Sequence, residues 1–442
     1  MHKYIYIAYY FIIPLLIIGI SFGFTSFPLT LAVLIPLLIS VDRHSVGFFF
    51  LMYGGSLGGV IRSTYPSIPI YGLLLQYIGV ILMWDMVLSL FQKNLRAIGG
   101  ILIVLVIFGV FYIIGPQDAF SQSKYVTMVN HGVVMVLGYY AFCCSKRINA
   151  ESLTLILIVA ALCMFAFCIS KYSFTPGGLL DYNWFRSQCM QHYGKWAVGE
   201  AMLIDYQHIG MLILYGTAIY LSQIKLSLVK TLFYTICAFQ LIMVSGCRQA
   251  ILGILVILAL RLIVFRDKNV GNNHMMRVVI WSGVGLVAIM GIMFMVLTNS
   301  TSDVVTTTLS EGDEGRQFLF FEAIAIFQNN QLTGVGIGGF NAITGDSWPH
   351  NFFLELLCET GLIGTISLLL IVFYTLYKRK AGLLYITSTG SFYFLFLMAL
   401  LVRVLVSSDL TESIELFSAV FAISTVGSLT FRSNIQSKMK TK

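Results

Sequence analysis

The chain has 442 residues, of which 58% are hydrophobic and only 10% charged, and its mean hydropathy of +0.87 excludes an ordinary soluble protein. Runs of about 18 or more apolar residues recur along it, and each is long enough to cross a bilayer as a helix. Because unpaired backbone groups cannot face lipid, this composition predicts an all-α polytopic integral membrane protein.

About 12–14 transmembrane helices are predicted. Their approximate residues are 4–22, 27–40, 45–61, 69–91, 97–115, 126–144, 153–170, 206–223, 229–245, 250–265, 278–297, 361–378, 384–402 and 411–430. The chain therefore divides into N-terminal helices (1–170), a first outward segment (171–205), central helices (206–297), a large outward segment (298–360), and C-terminal helices with a basic tail (361–442). No cleavable signal peptide is evident, because the first apolar run continues for a full span.

The net charge of +8 would fit a nucleic-acid partner, but the positions of the cations indicate membrane topology instead. With the N-terminus in the cytoplasm, 19 of the 27 basic residues fall in cytoplasmic loops or span ends. This bias follows the positive-inside rule and places both termini in the cytoplasm. The charge therefore implies contact with membrane lipids and no nucleic acid.

Two features inside the predicted spans have mainly structural interpretations. Most of the eight cysteines lie in spans without regular spacing, so we interpret them as apolar filler rather than as a disulfide or zinc framework. Asp85 also lies within a span, where a carboxylate is costly and often functional. Its position near Lys93 and Arg96 favours a structural role at the cytoplasmic helix end.

The first outward segment interleaves aromatic side chains with Arg186 and Lys195. Aromatic residues are typical of the membrane interface, although they also suit sugar binding. The two cations are candidates for phosphate binding, with Arg186 preferred. His208, at the start of the next span, is interpreted as a hydrogen-bonded helix-end residue.

A second candidate lies in the sequence SGCRQA, where Arg248 is predicted at the outer membrane surface between two spans with almost no loop. The small residues Ser245 and Gly246 allow neighbouring helices to approach closely. Arginine presents a planar fork of donors and remains charged, so a phosphate is its natural partner here. A distant carboxylate is the alternative partner.

The large outward segment begins with a polar loop and continues with a predicted helix from Arg316, whose broad apolar face favours the membrane surface. The following sequence LTGVGIGGF lacks the preceding strand and the spacing of a dinucleotide fingerprint. We therefore interpret its glycines as a tight turn back towards the membrane.

The segment closes on SWPHNFFLELLCETGLIG, which contains His350 and Asn351. Asp346 or Ser347 is expected to cap a helix with Pro349 in its first turn, placing His350 at the helix start. Glu355 and Glu359, four residues apart, are expected to form a separate acidic stripe. A neutral imidazole is a suitable general base near neutral pH, although a histidine that only caps a helix is the simpler interpretation.

These blocks resemble a known family. His350-Asn351, followed after nine residues by Gly361-Leu-Ile-Gly364, resembles the signature of the bacterial O-antigen ligase and O-antigen polymerase superfamily. SGCRQA resembles the S-G-x-R segment of that family, and Arg316 with LTGVGIGGF resembles the stretch before its histidine. The three blocks cover about half of the chain in family order, and the 171–205 segment contains no recognised motif.

The resemblance implies a GT-C-like fold in the bacterial inner membrane and a periplasmic reaction on a glycan carried by undecaprenyl diphosphate. His350 would be the base, while Arg248 and Arg316, with Arg186 or Lys195 and Asn351, would bind the diphosphate and substrate. The outward segments contain no DxD-type metal motif apart from the acidic sequence GDEG at 312–315, so arginines are expected to substitute for a divalent ion and no cofactor is expected. Direct attack would then invert the anomeric centre.

Several functions remain open at this level. A polymerase would transfer the growing chain to a lipid-linked repeat unit, with a chain-length regulator as a further partner, whereas a ligase would transfer the finished chain to lipid A-core. Aromatic-rich, low-charge character inclines the interpretation towards a polymerase. A protein O-oligosaccharyltransferase is a third member of the superfamily. A flippase or other transporter is disfavoured, because polar residues concentrate in two outward segments and no internal repeat is evident.

Overall fold

The computed structural model describes residues 2–24, 26–64, 72–93, 96–145, 148–174, 184–193, 206–223, 227–264, 318–378, 393–407 and 409–440. These residues are almost entirely helical and contain no strand. Four helices are long and apolar enough to cross a membrane: Tyr4–Ser21, Ala119–Cys144, Ala150–Tyr172 and Phe352–Tyr377. The prediction of an all-α polytopic membrane protein is therefore confirmed, while the number of spans stays a prediction.

We number the described helices in chain order as α1 to α17. They are α1 His2–Ser21, α2 Phe27–Ser40, α3 Arg43–Thr64, α4 Gly72–Leu82, α5 Trp84–Lys93, α6 Arg96–Ile114, α7 Ala119–Cys144, α8 Ala150–Tyr172, α9 Trp184–Tyr193, α10 Tyr206–Leu221, α11 Leu228–Ser245, α12 Arg248–Val264, α13 Phe318–Asn329, α14 Gly339–Thr344, α15 Phe352–Lys378, α16 Tyr393–Ser407 and α17 Leu410–Lys440.

The chain divides into two compact units. Unit 1 comprises Met1–Trp84, Ser145–Met290 and Thr387–Ala399, and it is built around α8. The apolar stretch Ala150–Ile169 of this helix is buried almost throughout, with α2 and α10 packed against it. A helix that is apolar on every face belongs inside a bundle, so α8 forms the centre of unit 1.

Helices α3 and α4 of unit 1 approach each other closely through glycines. A Cβ atom on Gly79 would lie 2.5 Å from the carbonyl oxygen of Gly47, and one on Gly72 would lie 2.5 Å from the Cα of Gly55. The buried side chain of Gln76 donates a hydrogen bond of 3.2 Å to the carbonyl of Leu51 across the same contact. Small residues thus bring two backbones together, as is common in membrane helix pairs.

Unit 2 comprises Asp85–Cys144, Gly291–Ile386 and Leu400–Lys442. Within it α7 packs along α17 and against α6, and α15 packs against α6 and α17. The short helix α14 also contacts α15. Unit 2 contains the large outward segment, which the structure describes from residue 318 onwards, together with the helix that follows it.

One predicted span is wrong in detail. The continuous helix expected over 69–91 is interrupted at Met83, so that α4 ends at Leu82 and α5 begins at Trp84. Asp85 consequently lies in the first turn of α5, where the helix dipole favours a carboxylate. The break places Asp85 at the beginning of a helix, which a prediction from apolar length alone does not reveal.

All eight cysteines are free thiols, and seven of them are buried.

Candidate active site

His350 lies on a short loop directly before α15. Its φ of +53° is in the left-handed region, which is uncommon for residues other than glycine. The half-buried His350 ring packs edge-on against Trp348, with ring centroids 5.2 Å apart. The helix begins at Phe352, so the predicted cap at Asp346 or Ser347, with Pro349 in the first turn, is wrong. The histidine precedes the helix instead of forming its beginning.

Asn351 supplies the helix cap. Its side-chain oxygen accepts hydrogen bonds from the backbone N–H groups of Phe353 and Leu354, at 3.0 and 3.1 Å. Asparagine is among the best residues at this position, which explains why the helix starts here. The cap uses only the oxygen of the carboxamide, whose nitrogen carries two further donors. Asn351 thus fixes the helix start beside His350.

The first part of α15 ends at Gly361. This residue has φ +60° and ψ −166°, so α15 consists of two helical segments joined at a kink. Beyond the kink, the N–H groups of Leu362 and Ile363 donate to the carbonyls of Gln331 and Leu332, at 2.8 and 3.1 Å. The predicted span 361–378 therefore begins at the residue where the helix is interrupted.

The glycine run 334–338 pairs with the end of that first segment. The N–H groups of Val335 and Gly336 donate to the carbonyls of Cys358 and Glu359, both at 2.9 Å, and Ile337 donates to Phe111 at 3.1 Å. Gly338 donates to the Glu359 side chain at 3.0 Å. Because four successive N–H groups are engaged with protein acceptors, this loop does not form a phosphate cradle.

The glycines themselves allow this close pairing. Gly334, Gly336 and Gly338 all have positive φ. A Cβ on Gly336 would lie 2.2 Å from the Cα of Gly115, and one on Gly338 would lie 2.2 Å from the Oγ of Ser121. The predicted tight turn is present. It also brings the glycine run into direct contact with α7, α15 and the end of α6.

A buried ion cluster joins α7 to α15. The ammonium of Lys124 lies 2.5 Å from Glu355 Oε1 and 2.8 and 2.9 Å from the two carboxylate oxygens of Glu359. Both glutamate side chains are fully buried and the lysine side chain is 4% exposed. Glu355 also accepts from the N–H of Leu410 at 2.9 Å. The predicted acidic stripe is therefore internal and has a cation that sequence reasoning missed.

The sequence contains a sign of this ion cluster, but the residues that form it are far apart along the chain. Lys124 and the two glutamates are charged residues in apolar helices, and such residues usually pair with one another. They are separated by 231 and 235 positions, so spacing along one helix cannot connect them.

Asp118 holds the start of α7 near this cluster. Its carboxylate accepts from the N–H and the hydroxyl of Ser121, both at 2.7 Å. These hydrogen bonds, the backbone one first, lower the pKa of Asp118. The N-terminal turn of α7, which carries Lys124, is thus capped by an ionised carboxylate.

A second polar group in unit 2 surrounds Arg403. Its guanidinium contacts Glu412 at 2.9 Å and Glu415 at 2.8 Å, and Glu415 also accepts from the hydroxyl of Tyr139. Asp409 caps α17 by accepting from the N–H of Glu412 at 2.7 Å, and burial raises the pKa of this carboxyl. These contacts fix the N-terminal end of α17.

In unit 1, Arg248 is the first residue of α12 and its side chain is exposed. Gly246 ends α11 with φ +70°, and its N–H donates to the carbonyls of Ile242 and Met243. The hydroxyl of Ser245 accepts from the N–H of Cys247 at 3.2 Å. Only Gly246 and Cys247 separate α11 from α12, so almost no loop joins the two helices, as predicted, and this turn presents Arg248 at a helix N-terminus.

Arg186 lies on α9 of the same unit. Its guanidinium carbon is 5.6 Å from the ring centroid of Tyr206, the first residue of α10. The buried Nε of Arg186 has no hydrogen-bond partner among the described residues. The guanidinium of Arg186 thus packs on the face of Tyr206, while its Nε donor makes no hydrogen bond within the described residues.

Helices α10 and α12 begin at the same end of unit 1. A Cβ on Gly210 would meet Cys247 at 2.3 Å, and one on Gly253 would meet Leu214 at 2.4 Å, so the two helices run parallel. The sulfur of Cys247, which precedes Arg248, lies 4.0 Å from the carbonyl of Gln207. The structure therefore brings Arg186 and Arg248 to one end of unit 1.

His350 and Asn351 are adjacent in unit 2, whereas Arg316 and Lys195 lie outside the described residues. Residues 233–369 match the family model described as O-antigen ligase. This segment is therefore similar to the O-antigen ligase family. The match confirms the resemblance to the O-antigen ligase and polymerase superfamily and supports glycosyl transfer of that type. No curated protein sequence matches the chain.

The matched segment contains four of the predicted site residues: Arg248, Arg316, His350 and Asn351. It also contains the glycine run and both glutamates of the buried ion cluster. Arg186, Lys195 and Lys124 lie before its first residue. The family match thus supports the general type of activity, while the roles of individual side chains rest on their local geometry.

Proposed function

We propose that the protein transfers a glycan from undecaprenyl diphosphate to an acceptor hydroxyl on the periplasmic face of the bacterial inner membrane. The observation that carries this proposal is His350, held in a left-handed conformation beside a capped helix start within the segment that matches the O-antigen ligase family model. Unusual backbone conformations are often retained at functional sites because the surrounding structure fixes them. We place this site in a GT-C-like fold.

In the proposed reaction His350 acts as general base. It accepts the proton of the acceptor hydroxyl while that oxygen forms a bond to the anomeric carbon of the donor sugar. The bond between the anomeric carbon and the diphosphate oxygen breaks, and its electron pair leaves with undecaprenyl diphosphate. A single displacement of this kind inverts the anomeric centre.

The leaving diphosphate requires positive charge. We assign this role to Arg248 and Arg186, together with Arg316 and Lys195, and we assign substrate contacts to the Asn351 carboxamide. Support comes from unit 1, where two arginines lie at the end at which α10 and α12 begin. Helix N-termini and guanidinium groups both favour phosphate. The proposed reaction therefore uses neither a metal nor another cofactor.

We further propose that the acceptor is a lipid-linked repeat unit, which would make the protein an O-antigen polymerase working with a chain-length regulator. A ligase that transfers the finished chain to lipid A-core is the second candidate, and the description of the matching family model favours it. Loss of a polymerase leaves single-repeat caps on lipopolysaccharide, whereas loss of a ligase leaves bare core and free lipid-linked polymer. Lipopolysaccharide from a deletion strain therefore separates the two.

The base is tested with purified protein in detergent and a labelled lipid-linked glycan. His350→Ala is expected to lower kcat by about 10²–10⁴-fold, the usual contribution of a general base. Ser347→Ala, at an exposed neighbouring position, is the matched control and should retain activity. Normal transfer by His350→Ala would contradict the proposal, and loss of wild-type activity in a chelator would contradict the metal-independent mechanism. Absence of transfer in detergent would favour a transporter.

A further inference from the structure

The buried ion cluster of Lys124, Glu355 and Glu359 connects four parts of unit 2. Lys124 belongs to α7, and both glutamates belong to the first segment of α15. Glu359 accepts from Gly338 of the glycine run, and Glu355 accepts from Leu410 at the start of α17. One lysine therefore lies at the point where these elements meet.

The cluster is unusual because two fully buried carboxylates share a single buried ammonium group. Ionised groups lose water on burial, so such a cluster adds little net stability even when its hydrogen bonds are good. Apolar residues of similar volume would often be at least as stable. Its clearest physical effect is to fix one arrangement of the groups it joins.

That arrangement determines where His350 lies. The N–H of Glu355 donates to the backbone carbonyl of Asn351 at 3.0 Å, one helical turn from the histidine. The same glutamate is held laterally by Lys124, and the far end of the segment is held at Glu359 by Gly338. The short segment between Asn351 and Gly361 is therefore fixed at both ends. Because His350 directly precedes this segment, the orientation of the segment determines the position of His350.

We propose that Lys124, Glu355 and Glu359 are positioning residues that hold the start of α15 so that His350 can reach the acceptor hydroxyl. This inference rests on the proposed function, in which His350 is the base. The cluster acts on geometry and does not contact the substrate. Its removal should therefore slow the chemical step while binding of the lipid-linked donor is preserved.

The test uses Glu355→Gln, which is isosteric and leaves Lys124 paired with Glu359. The carboxamide oxygen of the variant can still accept from Leu410, so we expect it to fold. We expect kcat to fall by about 10–100-fold, since small misplacements of catalytic groups cost this much, with KM for the donor unchanged within about twofold. Glu359→Gln, which keeps the Lys124–Glu355 pair, should behave in the same way.

Glu151→Gln is the control, because Glu151 of α8 is also a carboxylate paired with a lysine, Lys230, and it belongs to unit 1 rather than to α7, α15 or α17. It should retain kcat. A double-mutant cycle then separates positioning from general support of the fold. In the His350→Ala background, Glu355→Gln should change the residual rate by less than about twofold.

Three results would overturn the inference: an unchanged kcat for Glu355→Gln, a change confined to KM, or an equal loss of rate with and without His350. The proposed function fails in a different way. If His350→Ala alone retains normal transfer, both conclusions fall. If His350→Ala is inactive and Glu355→Gln is normal, only the positioning role falls.

Discussion

A guanidinium at the beginning of a helix is an unfavourable placement unless an anion lies near it. Arg248 is the first residue of α12, where the helix dipole is positive. Only Gly246 and Cys247 join α11 to α12, so Arg248 has no longer loop along which its position could shift outward. In the proposed function the donor diphosphate lies against both positive charges, so the proposal predicts that Arg248 contributes to the reaction of the donor.

Arg248 can be tested by conservative and non-conservative substitution. We expect Arg248→Ala to lower kcat/KM for the lipid-linked donor by about 10²-fold, because a transition-state charge loses its donor. Arg248→Lys should recover only part of this loss, since an ammonium lacks the planar fork. Steady-state kinetics with purified protein measures both.

The matched control for Arg248 is Arg43→Ala. Arg43 is also an exposed arginine at the first residue of a helix, α3, and the charge bias assigns it to the cytoplasmic side. Its substitution should leave kcat/KM unchanged. If Arg248→Ala and Arg43→Ala lowered kcat/KM equally, loss of an arginine at any helix start would explain the result. The proposed role of Arg248 in diphosphate binding would then be contradicted.

The residues around His350 show where sequence reasoning succeeds and where it stops. The motif identifies His350 and Asn351, but propensity offers Asp346, Ser347 and Asn351 as equally good caps. In the structure Asn351 is the cap, and the residue before it, His350, has a left-handed conformation and packs against Trp348. Both are tertiary features, so they could not be predicted from local preferences.

At the scale of elements, the kink in α15 is the feature most directly encoded by one residue. Gly361 combines φ +60° with ψ −166°, a conformation that essentially only glycine adopts. A Cβ there would lie 2.4 Å from the carbonyl oxygen of Leu332 and 2.6 Å from the nitrogen of Gly334. Backbone atoms cannot move aside easily. Glycine is therefore required at this position both for its backbone conformation and for the close contact with residues 332–334.

We therefore expect Gly361→Ala to destabilise the protein by about 3 kcal/mol through backbone strain and contact. Gly345→Ala is the control, because Gly345 also has positive φ, +81°, but nothing lies within 4 Å of the added atom. It should cost only about 1 kcal/mol. Thermal unfolding in detergent compares the two, and equal shifts would contradict the close pairing of the glycine run with α15.

Element boundaries were predictable where a local signal ended a helix. The end of α11 at Ser245 and the interruption at Gly361 are both marked by glycine, and both occur where the sequence predicts a span boundary. The break at Met83 has no glycine or proline, and it was missed. The pairing of Lys124 with α15 was missed because it joins distant parts of the chain.

At the scale of the whole molecule, apolar composition was sufficient to predict an all-α membrane protein, because continuous apolar runs of about 18 or more residues satisfy their backbone in lipid as helices. Composition cannot specify which helices pack together. The two units are assembled from segments that alternate along the chain, and this arrangement depends on side-chain packing between distant helices. Orientation is a separate property, which the distribution of charge predicts.

Orientation can be measured with a pair of exposed serines. Ser347 lies before α15 in the segment proposed to be periplasmic, and Ser227 lies before α11 in a loop proposed to be cytoplasmic. The native cysteines give a low background, since seven of the eight are buried. We expect a membrane-impermeant maleimide to label Ser347→Cys in intact cells and Ser227→Cys only after the membrane is permeabilised. The reverse pattern would place His350 in the cytoplasm, where the positive-inside bias would be inverted and a periplasmic transfer reaction impossible.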